Sequence, residues 1–172
     1  VVRADEQGRG FLYLNNYQDH VETIDQTDFC VTVQSDLGEV RFPQDGSLNL
    51  SKDACAILPY WFSLEGHLLK YATVQLITRV VYSHTAYYFF SKIREFVFPE
   101  DEIIPVSGCS VQKHKVILSN SETSVFTFGQ GNRCIVTVLN ANDAERLWQY
   151  DTPEGRKLFL CDCPVLYKDN EF

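Results

Sequence analysis

Along most of this chain apolar and polar positions alternate with a period of two, the spacing of a strand with one buried face. Phe11-Leu12-Tyr13-Leu14 is a β-rich run closed by the turn pair Asn15-Asn16. Phe29, Val31 and Val33 alternate with Cys30, Thr32 and Gln34. Asp36-Leu37-Gly38 makes a tight connection to Val40-Arg41-Phe42, and Pro43, with no N–H for the ladder, ends that strand. Gln44-Asp45-Gly46 then turns the chain into Leu48 and Leu50. Such a succession predicts hairpins rather than strand–helix–strand crossovers.

The apolar heart runs from Ala54 to Phe90. Ala56-Ile57-Leu58 leads through Pro59 to the aromatic group Tyr60-Trp61-Phe62, and Glu65-Gly66-His67 predicts a turn. Leu69, Tyr71, Thr73 and Gln75 alternate with Lys70, Ala72, Val74 and Leu76, which predicts one strand buried in part on both faces. Val80-Val81-Tyr82, a turn at Ser83-His84-Thr85 and Tyr87 to Phe90 follow. Beyond the charged, Pro-flanked run Glu100-Asp101-Glu102, the segments 115–118, 124–128 and 134–139 predict three more strands, the last two joined by the loop Gly129-Gln130-Gly131-Asn132. One short helix is predicted near Asn142–Tyr150, with an Asn as N-cap, Asp143 and Glu145 in the first turn, and Ala144, Leu147 and Trp148 on one face. That spacing places Trp148 in a core. Pro153 and Gly155 end the helix, and 157–163 predicts a closing strand. The fold class is therefore mainly β. The boundary falls at Glu100, between a hairpin unit at 1–100 and a sandwich unit with the late helix at 101–172, both parts of one compact domain.

Composition narrows the partners. The 172 residues carry a net charge of −8 and no Lys/Arg cluster, which argues against a nucleic-acid partner and against an anionic membrane surface. The densest apolar run, Ala86 to Phe90, is far short of the roughly 20 residues that span a bilayer. The sequence contains no Met and opens without a charged or apolar leader region, so the expectation is a piece of a larger protein, with removal of a leader as the alternative. Six cysteines lie mostly inside apolar runs, which predicts buried free thiols; disulfides and a metal site are the alternatives, and the compartment stays open. One N-glycosylation sequon, Asn49-Leu50-Ser51, is present, and a single match to so short a pattern arises readily by chance.

Candidate chemistry is sparse. Paired-carboxylate hydrolysis needs two acids about 5 to 10 Å apart in one pocket, and among 23 acids the sequence selects no pair. There is no G-x-S-x-G, no C-x-x-C and no close pair of zinc-type ligands. No catalytic residue, metal or cofactor is predicted. Aromatic residues, at 13%, are the other lead. Tyr60 with Trp61, and Tyr87 with Tyr88, are candidate platforms for stacking a sugar ring; the competing expectation is that they fill a sandwich core.

Four segments resemble, in order, the region following the catalytic barrel in β-galactosidases of glycoside hydrolase family 35. They are Arg9 to Tyr17; Gly38 to Pro43 with Gly46-Ser47-Leu48; Leu69 to Leu76; and Val138-Leu139-Asn140 through Ala144 and Leu147-Trp148 to Lys157–Asp162. Asn140 stands where a threonine is usual, one N-cap for another. The resemblance implies antiparallel hairpins packed with an immunoglobulin-like β-sandwich unit, forming a non-catalytic domain that braces a barrel of the same polypeptide. The family's catalytic glutamates belong to that barrel, and no motif for them occurs here. The implied partner is the barrel, with an oligosaccharide as the alternative if the aromatics are exposed. The implied location is secreted or periplasmic.

Overall fold

Short alternating runs bounded by Gly, Asn, Asp and Pro can bury one face only by pairing and stacking, and the chain does so in layers. The computed structural model describes residues 1–91, 95–99, 101–119, 121–131 and 133–166. Glu100, at the predicted boundary, and Asn132, in the predicted loop, lie outside the described residues.

The first half supplies β1 (Val2–Ala4), β2 (Gly10–Asn15), β3 (Gln26–Phe29), β4 (Val31–Val33), β5 (Val40–Phe42) and β6 (Leu48–Leu50). The apolar heart supplies β7 (Cys55–Leu64), β8 (His67–Ala72), β9 (Gln75–Tyr82) and β10 (Thr85–Ser91). There follow β11 (Glu95–Val97), β12 (Ile103–Ser107), β13 (Cys109–Gln112), β14 (Lys115–Leu118), β15 (Ser124–Phe128) and β16 (Cys134–Leu139). The helix α1 (Ala141–Glu145) precedes β17 (Leu147–Thr152) and β18 (Gly155–Leu160).

A seven-stranded sheet has the order β1-β2-β7-β8-β11-β14-β13, and a five-stranded sheet the order β12-β15-β16-β10-β9. Three two-stranded ribbons, β3-β6, β4-β5 and β17-β18, complete the described strands, and no sheet closes into a barrel. Pairing is antiparallel except between β10 and β16, which run parallel with Tyr88 opposite Val136.

The seven-stranded sheet is the middle layer. Phe96 and Val97 are neighbours on β11, yet Phe96 joins one core and Val97 the other, because successive side chains point to opposite faces. The larger core lies against the five-stranded sheet and gathers Leu64, Leu69, Phe90, Phe96, Phe126 and Val136. Its rings meet edge to face: Phe90–Phe96 at 5.0 Å and Phe96–Phe126 at 5.1 Å between centroids. The smaller core lies against the β3-β6 and β4-β5 ribbons and gathers Leu12, Val40, Phe42, Leu58, Tyr60 and Tyr71.

Three expectations need correcting. The run 69–76 is not one strand. β8 ends at Ala72 in the seven-stranded sheet, and after the buried Thr73 and Val74 the chain enters β9 of the five-stranded sheet. Apolar residues on both faces here mark a crossing between layers. The helix is also shorter than predicted. Asn140 caps it, accepting from the Asp143 N–H at 2.9 Å, but it stops at Glu145, and 147–152 form a strand. Pro153 and Gly155 (φ 112°) therefore sit at a hairpin turn rather than a helix end, and Trp148 pairs across the hairpin with Phe159, half-buried and in neither core. Finally, all six thiols are free, but only Cys134 is buried. Cys30 between β3 and β4, Cys55 at the start of β7 and Cys163 beyond the end of β18 are exposed.

Phe126, fully buried among Phe96, Phe98 and Phe128, is the test of the sheet-to-sheet core. Phe126→Ala is expected to cost about 3–5 kcal/mol in urea unfolding. Tyr17→Ala, at an exposed ring, is expected to stay within about 0.5 kcal/mol. Equal losses for the two would contradict this packing.

Candidate functional site

Three of the clusters of ionisable side chains among the described residues each join two layers. At the first, Tyr71 on β8 donates its hydroxyl hydrogen to Glu95 Oε1 at 2.7 Å and accepts the Gln44 N–H at 2.7 Å. Gln44 follows the cis Phe42–Pro43 peptide at the end of β5, so this contact pins the outer ribbon to the middle sheet. Lys115 Nζ stands 2.5 Å from Glu95 Oε2 and 3.4 Å from Asp45 Oδ2. Glu95 is only 7% exposed, and a carboxylate that deep needs its partners. Its backbone N–H is met by Thr73 Oγ1 at 3.0 Å. Burial works against the Lys115 ammonium, but its bonds to Glu95 and Asp45 outweigh that and raise its pKa. Burial, followed by the bond to Glu95, pushes the Tyr71 phenol far above its ordinary value.

At the second place, Glu65-Gly66 forms a two-residue turn with φ of 55° and 101°, joining β7 to β8 where Leu64 pairs with His67. The turn delivers Glu65 to the five-stranded sheet. Its Oε1 accepts from Arg79 Nε at 2.7 Å, Arg79 Nη2 at 2.5 Å and the Tyr88 hydroxyl at 3.0 Å. The Arg79 guanidinium, 5.8 Å from the Tyr88 ring centre, holds the Glu65 carboxyl below its ordinary value against the opposing effect of burial. Tyr88 is pushed up to about 12 by burial and then by its bond to Glu65.

At the third place, His67 Nδ1 lies 2.7 Å from Asp101 Oδ1, and the imidazole stacks on Phe128 at 3.8 Å with 5° between the planes. Gly131 is required beside it: its φ is 88°, and a Cβ there would come within 2.9 Å of His67 Cε1. Glu65, His67 and Asp101 share the mouth of a cleft of about 330 Å³ with Gly66, Gln130 and Gly131. A carboxylate beside Nδ1 orients an imidazole, as acid–base work requires. Here the same contacts bind the β7–β8 turn to the segment before β12 and to β15. Among the described residues no three His, Cys, Asp or Glu side chains come together as a metal site. No described helix is long and apolar enough to cross a membrane.

The four aromatic candidates do not converge. Tyr60 is 1% exposed, in the smaller core, with its ring edge-on to Phe42 at 6.3 Å. Trp61, next along β7, is half-buried; its indole N–H points to Gly38 O at 3.5 Å, and Lys70 Nζ lies 6.0 Å from its ring centre. Tyr88 is 4% exposed in the larger core. Tyr87 is half-buried and lines a cleft of about 430 Å³ with Thr127, Arg133 and Ile135. Tyr60 and Tyr88 are each buried in a core, so neither adjacent pair offers two rings to one ligand. Sequence reasoning did not single out Tyr71, Glu95, Lys115, Arg79 or His67. Only the Glu65-Gly66 turn left a local signal, because the partners are brought together by long-range pairing.

No family model matches the chain, and no curated protein matches it.

Two outcomes follow from these clusters. Lys115→Ala leaves the Glu95 carboxylate without its cation and is expected to cost about 1–3 kcal/mol in urea unfolding; a neutral result would contradict the first cluster. Tyr88 holds its proton more tightly when folded, so its contribution to stability is complete below about 10, the unfolded value. That contribution is lost as pH rises through about 12. Tyr88→Phe is therefore expected to flatten the fall in Tm over that alkaline window, and an unchanged slope would contradict it.

Proposed function

We propose that this chain is a non-catalytic structural β domain of a glycosidase resembling the family 35 β-galactosidases, bracing a catalytic barrel that lies outside it. The observation that carries the reading is that three ionic clusters each span two layers: Gln44 and Asp45 to Glu95, Glu65 to Arg79 and Tyr88, and His67 to Asp101. Charge buried as deeply as that of Glu95 is costly, and here it serves cross-layer rigidity. Most of the large rings serve the same end, filling two cores. A barrel enzyme works through loops at one face, and a stiff slab fixed to its flank holds such loops in place. The ordered resemblance of four segments supports the same assignment.

One observation favours a second reading, a carbohydrate-binding module. Trp61 is half-buried in a left-handed backbone conformation (φ 47°), unusual for a bulky residue and a frequent mark of binding sites. Its ring presents a flat surface of the kind pyranoses stack upon.

The purified chain is expected to release no product from an aryl β-galactoside. Turnover abolished by Glu65→Gln or Asp101→Asn would overturn the structural reading. In the longer polypeptide, deletion of 1–172 is expected to lower Tm and activity together, and an unaffected enzyme would count against bracing. Saturable galactoside binding lost in Trp61→Ala, with the fold retained, would move the assignment to the binding module.

A further inference from the structure

We propose that Asn49 is an acceptor for N-linked glycosylation. A sequon alone is weak, but three structural facts meet at this one. The first is the direction of its side chains. Leu48 is buried and Leu50 packs against the smaller core, so alternation turns Asn49 outward, and both Asn49 and Ser51 are exposed.

The second is the opposing strand. β3 pairs Gln26 with Leu50 and Phe29 with Leu48, so Thr27 and Asp28 together face the single residue Asn49. This is a bulge, with Asp28 at φ 54°. A bulge bends its strand and re-aims side chains, here on one of the ribbons that cover the smaller core.

The third is the amide itself. Asn49 Oδ1 accepts the Asp28 N–H at 3.0 Å. Glycosylation substitutes Nδ2 and leaves Oδ1 an acceptor, so the modified residue keeps the bond that holds the bulge. Ser51 begins a turn closed by the Ala54 N–H on Ser51 O at 3.1 Å, and its hydroxyl has no role in that bond.

The donor is a lipid-linked diphosphate oligosaccharide. Nδ2 attacks C1 of its first sugar, the C1–O bond to the diphosphate breaks, and the lipid diphosphate leaves with that electron pair. The amide proton passes to a base of the transferase, and no centre is oxidised or reduced. This inference does not rest on the proposed function. It does assign the β3-β6 ribbon to solvent, so a neighbouring domain would dock on another face.

The test is secretion of the full chain from yeast behind a cleavable leader. The wild-type protein is expected to migrate faster after peptide-N-glycosidase treatment, and its tryptic peptide 42–52 to carry Asp at 49 with heavy oxygen when the enzyme acts in heavy-oxygen water. Asn49→Gln and Ser51→Ala are each expected to abolish both signals. Ser51→Ala keeps the Asn49–Asp28 bond, so it removes the acceptor motif without touching the bulge, and its β-type circular dichroism is expected to match the wild type. Secreted wild-type protein with peptide 42–52 wholly unmodified would overturn the proposal. So would a modification that persists in Ser51→Ala.

Discussion

The structure depends on one sheet whose central strands are buried on both faces. β7, β8 and β11 send side chains into the core beneath the five-stranded sheet and into the core beneath the outer ribbons. Where a sheet is covered on both sides there is no solvent face on which to leave a polar group, so a polar residue buried there must be satisfied by another part of the chain. Thr73 and Glu95 show how. Each bonds the other's backbone, with Thr73 N–H on Glu95 O at 2.9 Å and Glu95 N–H on Thr73 Oγ1 at 3.0 Å, while Tyr71 and Lys115 take the Glu95 carboxylate. The Glu95 cluster follows from the layering: it stands where charge has been carried inside and must be met.

The sequence disclosed the strands because a period of two is local. It disclosed the turns at Asp36-Leu37-Gly38 and Glu65-Gly66 because these are local too, but Asn15-Asn16 is not a turn: Asn15 lies in β2 opposite Cys55, and the Asn16 N–H bonds Ala54 O. It failed where two structures share one pattern. At 69–76 apolar residues on both faces fit a doubly buried strand and also fit a crossing from one layer to the next, and the crossing is what the chain makes. At 141–152 the spacing Ala144, Leu147, Trp148 fits a helix, but Trp148 and Tyr150 alternate equally well with Gln149 and Asp151. Pairing with 155–160 decides the matter, a tertiary contact that overrides local propensity. The cysteines misled for a related reason: an apolar run does not say which of its faces is inside.

The candidate site was less legible than the fold. Arg79 and Glu65 are fourteen residues apart, and Tyr71 and Glu95 twenty-four. Nothing local marks such partners, because strand pairing within one sheet brings Tyr71 to Glu95 and packing between sheets brings Glu65 to Arg79. The aromatic leads were visible, but their roles were not. Composition counts rings without saying whether they face a core or a ligand.

Trp61 makes the last connection. Along β7, Ala56, Leu58 and Tyr60 serve the smaller core, while Phe62 and Leu64 serve the larger one. All five share one parity, and a regular strand would send them to one face. The change of core occurs at the residue with φ 47°, where the Tyr60–Tyr71 and Phe62–Leu69 pairs flank Trp61. A left-handed residue re-aims the strand that follows it. The same backbone turn that leaves the indole half in solvent thus lets one strand feed two cores. The feature that most invites a binding role already has a structural cause, and this favours the bracing function over the sugar platform.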